Sequence, residues 1–351
     1  MKPLRCLAAC LALALAASAA AEGGFKDPLD VPAQSSALSA KSLLTAIARA
    51  GDRLVAVGQR GHILVSADAG KTWQQSKVPV SSDLTAVHFP TSTKGWAVGH
   101  DGVILASDDG GTTWKLQLDG RRANQSIVDD LARKPETEAT KALLSEAKRN
   151  VEQGADKPFL DVWFADERTG YAVGAYNLIF HTVDGGATWA PWFDRTDNPK
   201  LLNLYAIRPA AGALFVAGEA GLLLKLDPAA QRFRAVEIPY AGSLFGVTGN
   251  EGNVLVFGLR GNAFRSEDAG RTWKKAEASL PASIVASASS GSAILLADAS
   301  GRVSRTTDGG RSFEPVPVAS GMLVAGIADA GQGQLALVGM RGVLVTPAQA
   351  R

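Results

Sequence analysis

Apolar residues in this chain fall in short runs broken by glycine and polar clusters. Leu43–Ala48, Arg53–Gly58 and His62–Ser66 follow one another, and Thr72–Val78 is a fourth run, opening on Thr72-Trp73. Runs this short, bounded by turn-forming residues, predict β-strands rather than helices. The foursome recurs as Leu84–Phe89, Gly95–Gly99, Val103–Ser107 and Thr113–Leu118, and again in units that begin near Leu160, Leu204, Leu244 and Ser283. A seventh unit has three runs, Met322–Ala328, Gln334–Gly339 and Val343–Thr346. The predicted fold is all-β.

A second periodicity rides on the first. Ser66–Trp73 (SADAGKTW), Ser107–Trp114 (SDDGGTTW), Thr182–Trp189 (TVDGGATW), Ser266–Trp273 (SEDAGRTW) and Thr306–Phe313 (TTDGGRSF) share the pattern [S/T]-x-D-x-G-x-[T/S]-[W/F]. Leu226–Phe233 is a degenerate copy that keeps only the aromatic. Each glycine supplies a positive φ for a tight turn. Asp68, Asp109, Asp184, Asp268 and Asp308 can accept bonds from turn amides that otherwise lack partners. The aromatic opens the next strand and buries a ring between repeats. These aspartates are therefore structural fasteners, not catalytic groups.

Asp68 and Asp109 are 41 residues apart, and Asp268 and Asp308 are 40 apart. A period near 40 made of short strands predicts a propeller, here of seven four-stranded antiparallel blades. The seventh unit lacks an outer strand. Val31-Pro32 resembles the apolar-Pro pairs that end other outer strands, so Phe25–Pro32 is expected to close the ring against Val343–Thr346. Asp109 and Asp184 are 75 residues apart, which leaves an insertion of about 35 residues between blades 2 and 3. That insertion, residues 119–157, is rich in Ala, Lys, Arg and Glu and has eight acidic and eight basic residues. Val128, Leu131 and Ala132 share one helical face, and Leu144, Ala147 and Val151 another, with Pro135 between them. A helical hairpin is expected, packed by its apolar stripe on the propeller and rising from the face that carries the second-to-third strand turns.

Residues 1–21 read as a secretory signal peptide, with Lys2 and Arg5 before an apolar run and Ala19-Ala20-Ala21 as cleavage site. The predicted organisation is leader 1–21, propeller 22–351 and helical insertion 119–157. The protein is expected in the periplasm or secreted. Cys6 and Cys10 both lie in the leader, so the exported chain has no thiol or disulfide. Without Lys2 and Arg5 the 36 basic residues become 34, equal to the 34 acidic ones, which argues against general nucleic-acid binding.

Candidate chemistry is sparse. His62, His88, His100 and His181 sit in different units without metal-ligand spacing, and no glycine-rich stretch precedes a helix as phosphate binding requires. The expectation is no cofactor, no metal and no catalytic residue. The informative positions are the turns between second and third strands: GQRG (58–61), GHDG (99–102), GAYN (174–177), GEAG (218–221), GLRG (258–261) and GMRG (339–342). Arg60, Arg260 and Arg341 share one slot in units that a closed ring makes near neighbours, separated by Ser300. Asp101 and Glu219 fall on the opposite side, and His100 and Tyr176 occupy the same set of turns. These seven residues are the candidate partner-binding positions. The three arginines form a patch suited to a carboxylate or another anion.

Leu84–Trp114 and Phe159–Trp189 resemble the repeat of the photosystem II stability/assembly factor family, through V-x-F, G-W/Y-A-V-G and D-G-G-x-T-W. That family belongs to the wider bacterial neuraminidase or Asp-box repeat group. The resemblance implies a seven-bladed propeller without enzymatic activity that helps assemble a membrane protein complex, of reaction-centre or transporter type. It also implies a monomer, peripheral to a membrane at most, and the thylakoid lumen if the host is photosynthetic. The alternative is an Asp-box protein that binds or cleaves glycans. The sialidase signature is met only by the poor match Phe233-Arg234-Ala235-Val236, and Tyr171, Tyr205 and Tyr240 lie in or beside strands.

Overall fold

The computed structural model describes residues 26–290, 292–318 and 321–348. The leader, both cysteines and Phe25 lie outside the described residues. Seven antiparallel sheets follow in chain order, six with four strands and the last with three, and within each sheet the strands pair in sequence order. Blade 1 has Leu44–Ala50 innermost, then Arg53–Gly58, Ile63–Ser66 and the short outer pair Gln74–Gln75. The second strands, such as Gly95–Gly99 and Val254–Gly258, are buried along their whole length because neighbouring blades cover both faces. Outer strands of two residues in blades 1, 3 and 5 leave little free edge for unwanted pairing.

Consecutive blades meet through apolar clusters. Val55, Val57, Val87 and Trp114 join blades 1 and 2, and Trp96, Val98, Phe164 and Trp189 join blades 2 and 3. The aromatic residue that follows each Asp-box turn thus packs back on the preceding blade. Trp96 also stacks on Phe164, with ring centroids 3.4 Å apart.

Each inner strand carries a register irregularity near its start, for example between Leu44 and Ala46, Leu204 and Ala206, and Val324 and Gly326. A bulge leaves one residue out of the ladder and re-aims its side chain. The residues left out include Thr45, Thr85, Leu160, Tyr205 and Phe245, and all five line a narrow axial channel of about 170 Å³.

The ring closes differently from expectation. Phe25–Pro32 was expected to pair with Val343–Thr346, but the last sheet stays three-stranded. The N-terminal segment instead follows the outer edge of blade 1. Ser81 N donates to Pro28 O (2.9 Å), Ala33 N to Val78 O (3.1 Å) and Gln75 Nε2 to Gln34 O (2.8 Å). Leu29 is buried between blades 1 and 2, and Arg121 grips Asp27 (2.6 Å) and Asp30 (3.0 Å). These contacts fix the segment on the wrong side of blade 1 to reach blade 7. Closure rests on side chains: Leu44, Ala56 and Leu64 against Val338, and Leu54 against Ala328, Ala330 and Ala336.

The insertion forms two helices, α1 (Gly120–Ala132) and α2 (Glu138–Gln153). Asp119 caps α1 through Arg122 N (2.9 Å), and Thr137 with Thr140 forms a capping box on α2. The packed face is rotated from the one expected. Ala123, Asn124 and Leu131 are buried on α1, whereas Ala132 is exposed, and on α2 Ala147 is buried while Val151 is exposed. A polar residue decides this: Asn124 Nδ2 donates to Asn150 O (3.1 Å) and Gly154 O (2.8 Å), tying the helices together.

Candidate functional site

The Asp-box turns are built alike. In blade 2, Ser107 Oγ donates to Asp109 Oδ1 (2.9 Å), Thr113 N donates to the same oxygen (2.9 Å) and Thr113 Oγ1 donates to Oδ2 (2.7 Å). Gly111 N donates to Ser107 Oγ (2.9 Å), and Trp114 Nε1 donates to Gly111 O (2.9 Å). Asp68, Asp184, Asp268 and Asp308 hold the same side-chain and amide bonds. Donation from Thr72 holds the Asp68 carboxyl down at about 2, and the equivalent bonds hold Asp268 and Asp308 well below the carboxylate range. At Asp109 and Asp184 partial burial opposes the shift, but the hydrogen bonds outweigh it. Carboxylates so occupied are poor proton donors.

The opposite face carries the second-to-third strand turns. In blades 1 to 5 each is a three-residue 3-10 turn whose middle residue is left-handed: Arg60 (φ 55°), Asp101 (56°), Tyr176 (53°), Ala220 (52°) and Arg260 (56°). Such a φ disfavours most L residues, so bonds from outside must hold it. In blades 1, 3, 4 and 5 they come from the residue that precedes the next inner strand. Asp83 Oδ1 accepts from Arg60 N (2.7 Å), Asn203 Oδ1 from Tyr176 N (2.9 Å), Ser243 Oγ from Ala220 N (3.4 Å) and Ser283 Oγ from Arg260 N (3.2 Å). Sequence reading missed these fasteners, although each is a polar residue just before a buried Leu or Ile.

Arg60, Arg260 and Arg341 are all exposed on this face, and none forms an ion pair among the described residues. Arg341 sits in a different turn: Gly339 pairs directly with Gly342, leaving a two-residue connection. In blade 6 the turn begins at Asp298, fully buried, whose Oδ1 accepts from Ser300 N (2.9 Å), Ser300 Oγ (2.7 Å) and Arg302 N (3.0 Å). Glu219 is partly committed, accepting from Asn203 N (3.2 Å). The backbone of Asp101 lies against Gly120 at the start of α1, and His100 beside it is exposed. Tyr176 is exposed with Lys157 Nζ 6.0 Å from its ring, at the mouth of an apolar cleft of about 390 Å³ between the helices and blade 3. The face therefore divides into a basic side on blades 5, 7 and 1 and a mixed side on blades 2 to 4.

The channel holds one buried ion pair that sequence reading did not find. Arg208 NH1 donates to Asp161 Oδ2 (2.6 Å) and to Ile207 O (2.6 Å), and Ile207 N donates to the same Asp161 oxygen (2.8 Å). Burial pushes the Asp161 carboxyl up, and Arg208 with two backbone amides pulls against that. His88 is lowered to about 3 by burial and then by Arg208, and His181 to about 4 by burial and then by Arg195. Tyr171 packs on His181, Trp192 and Phe233, and burial lifts its hydroxyl to about 12. Tyr205 lines the channel against Phe245, and Tyr240 Oη donates to Leu259 O (3.0 Å). Among the described residues, no group of three or more His, Cys, Asp or Glu could hold a metal ion.

A ring of seven blades, stapled by Asp-box turns and presenting a charged turn face, defines the chain as a seven-bladed Asp-box β-propeller. The family model described as "Photosynthesis system II assembly factor YCF48" matches residues 26–108, 65–127 and 140–344, and the chain belongs to that family. Among solved structures it is similar to "YCF48 bound to D1 peptide", with 15% identity, a TM-score of 0.63, and coverage of 88% of this chain and 94% of that one. YCF48 from Cyanidioschyzon merolae is similar at 16% identity and a TM-score of 0.61, covering 87% of this chain and 95% of that one. The WD40 propeller domain of Doa1 matches at 9% identity and a TM-score of 0.60, covering 93% and 98%. At these identities the likeness shows the fold. No curated protein matches the sequence.

Proposed function

We propose that the protein is an exported, non-catalytic scaffold that holds a membrane-protein subunit during assembly. It seats a carboxylate-bearing segment of that subunit on the basic side of the turn face. The observation that carries this reading is the set of Arg60, Arg260 and Arg341, exposed without acidic partners on turns whose backbone is fixed from the neighbouring strands. Guanidinium groups held on a rigid frame lose little entropy when they bind a planar anion. Family membership supports the assembly role, and the D1 peptide bound by a structural relative supports a protein segment as ligand. The client here is a subunit of reaction-centre or transporter type. The Asp-box carboxylates are engaged in turns, and the buried tyrosine and histidines are held neutral, which supports a binding role over glycan hydrolysis. Export through the leader places the scaffold in the periplasm, in the secreted fraction, or in the thylakoid lumen of a photosynthetic host.

The test combines Arg60→Glu, Arg260→Glu and Arg341→Glu in one chain and measures capture of subunits from detergent-solubilised membranes of the native host. Loss of specific capture with an unchanged melting temperature is expected. Capture equal to that of the parent chain refutes the arginine site. Export is checked separately by N-terminal sequencing of the mature protein, with cleavage expected after Ala21.

A further inference from the structure

The exposed apolar side chains are not spread evenly. Of ten large ones among the described residues, seven lie in the turns and connections of the turn face, two on the helical hairpin, and only Val183 on the Asp-box side. Three of them gather where blade 7 meets blade 1: Leu38 (65% exposed), Leu323 (56%) and Met340 (59%). They are contiguous. Met340 N donates to Leu323 O (3.1 Å), and a Cβ on Gly342 would lie 2.7 Å from Lys41 Cα, so the Met340-Arg341 turn abuts the short helix Ser39–Lys41 that follows Leu38. Leu259 and Arg260 occupy the equivalent turn of blade 5, with blade 6 between it and blade 7.

The exposed charges nearest these tips are Lys41 and Arg341, and farther along the face Arg60 and Arg260 stand with the exposed carboxylate of Asp83 beside Arg60. Lys41, Arg60, Arg260 and Arg341 form no ion pair among the described residues. Asp298 is fully buried in its own turn, and Asp83 accepts from the Arg60 backbone. Asp101 and Glu219 lie on the far side of the face.

We propose that this sector, Leu38, Leu323 and Met340 with Lys41 and Arg341, docks the propeller onto an anionic lipid bilayer. The side chains stand out as tips on turns. Apolar tips can enter the acyl boundary while ammonium and guanidinium groups remain at the phosphates. Basic residues near an anionic surface each add attraction, which the mixed side on blades 2 to 4 does not match. A client embedded in the same membrane would then meet the scaffold edge-on. The inference does not depend on the client, because protein-free vesicles suffice to test it.

In the full chain, with Cys6→Ser and Cys10→Ser, a nitroxide is attached at Met340→Cys or, as control, at Val183→Cys. Vesicles contain phosphatidylglycerol and phosphatidylcholine, or phosphatidylcholine alone. On the anionic vesicles the label at 340 is expected to lose access to a water-soluble relaxation agent and gain access to oxygen, while the label at 183 does not. In the unlabelled chain, Leu323→Glu with Met340→Glu is expected to weaken vesicle binding about tenfold or more, with the melting temperature unchanged. The readout is local to the label, so tethering through another segment does not imitate it. A label at 340 that stays as water-accessible as the one at 183 overturns the proposal. So does an unchanged vesicle affinity of the double variant. If that variant loses subunit capture but not vesicle binding, the patch is a protein-docking surface instead.

Discussion

Asp161→Ala offers a sharp test of how the ring is held at its axis. Asp161 stands on the inner strand of blade 3 with its side chain 6% exposed, and it reaches Ile207 N and Arg208 on the inner strand of blade 4. Truncation leaves the Ile207 amide without an acceptor in a fully buried position, at a cost of about 1–3 kcal/mol. Arg208 loses its counter-charge but keeps the carbonyls of Ile207 (2.6 Å) and Val162 (3.3 Å). Breaking a fully buried pair costs about 3–5 kcal/mol. Arg208 is 34% exposed to the channel, so water screens it and about 1–2 kcal/mol is the appropriate share. The expected loss is therefore about 2–5 kcal/mol. In a chain of this size that lowers the melting temperature by about 4–10 °C. Urea unfolding followed by tryptophan fluorescence measures it. Asp161→Asn keeps an acceptor for Ile207 N and should recover the amide share alone. A cycle through Arg208→Ala should return a coupling of about 1–2 kcal/mol. A loss below about 0.5 kcal/mol, or a cycle with no coupling, refutes the assignment of this pair as the joint between blades 3 and 4.

Stability should fall in two steps with acid. His88 and His181 are neutral when folded, at about 3 and about 4, so the unfolded chain takes up protons first, and stability drops as pH falls from about 6.5. The five Asp-box carboxyls are depressed in the folded state, so their contribution is full above about pH 4 and is lost as pH falls further. Urea midpoints between pH 8 and pH 2 should show both limbs, and a flat profile down to pH 3 contradicts the assignment. Gly70→Ala should destabilise by about 1–3 kcal/mol, since Gly70 has φ +87° and a new Cβ would stand 2.6 Å from Val345 Cγ2 across the ring seam. Gly252→Ala, where nothing lies within 4 Å, should leave the melting temperature unchanged, and equal effects at the two sites would discount the seam.

What repeats in this chain was legible, and what happens once was not. The strand runs, the five Asp-box turns and the number of blades follow from local chemistry used several times over, so each copy corroborates the others. The path of the N-terminal segment follows from single contacts, Arg121 with Asp27 and Asp30 and Leu29 in the seam between blades 1 and 2, which no periodicity announces. The same holds for Asn124, whose bonds to Asn150 and Gly154 turn the helices away from the face that apolar spacing favours. Asp161 and Arg208 belong to different blades 47 residues apart, and their pairing exists only once the ring has formed. The repeat also shows where to look for function. At the slot between second and third strands the backbone is held by the fold in blades 1, 3, 4 and 5, so the side chain there contributes little to stability and is free to vary. Blade 6 shows the contrast: Asp298 turns its side chain inward and fastens its own turn, at the expense of an outward group. Arginine at 60 and 260 stands at left-handed positions, where glycine or asparagine would sit more easily. On the proposed function, the charge at these positions serves a partner outside the ring, so replacing Arg60 and Arg260 by asparagine should weaken capture of that partner while leaving the melting temperature unchanged or higher.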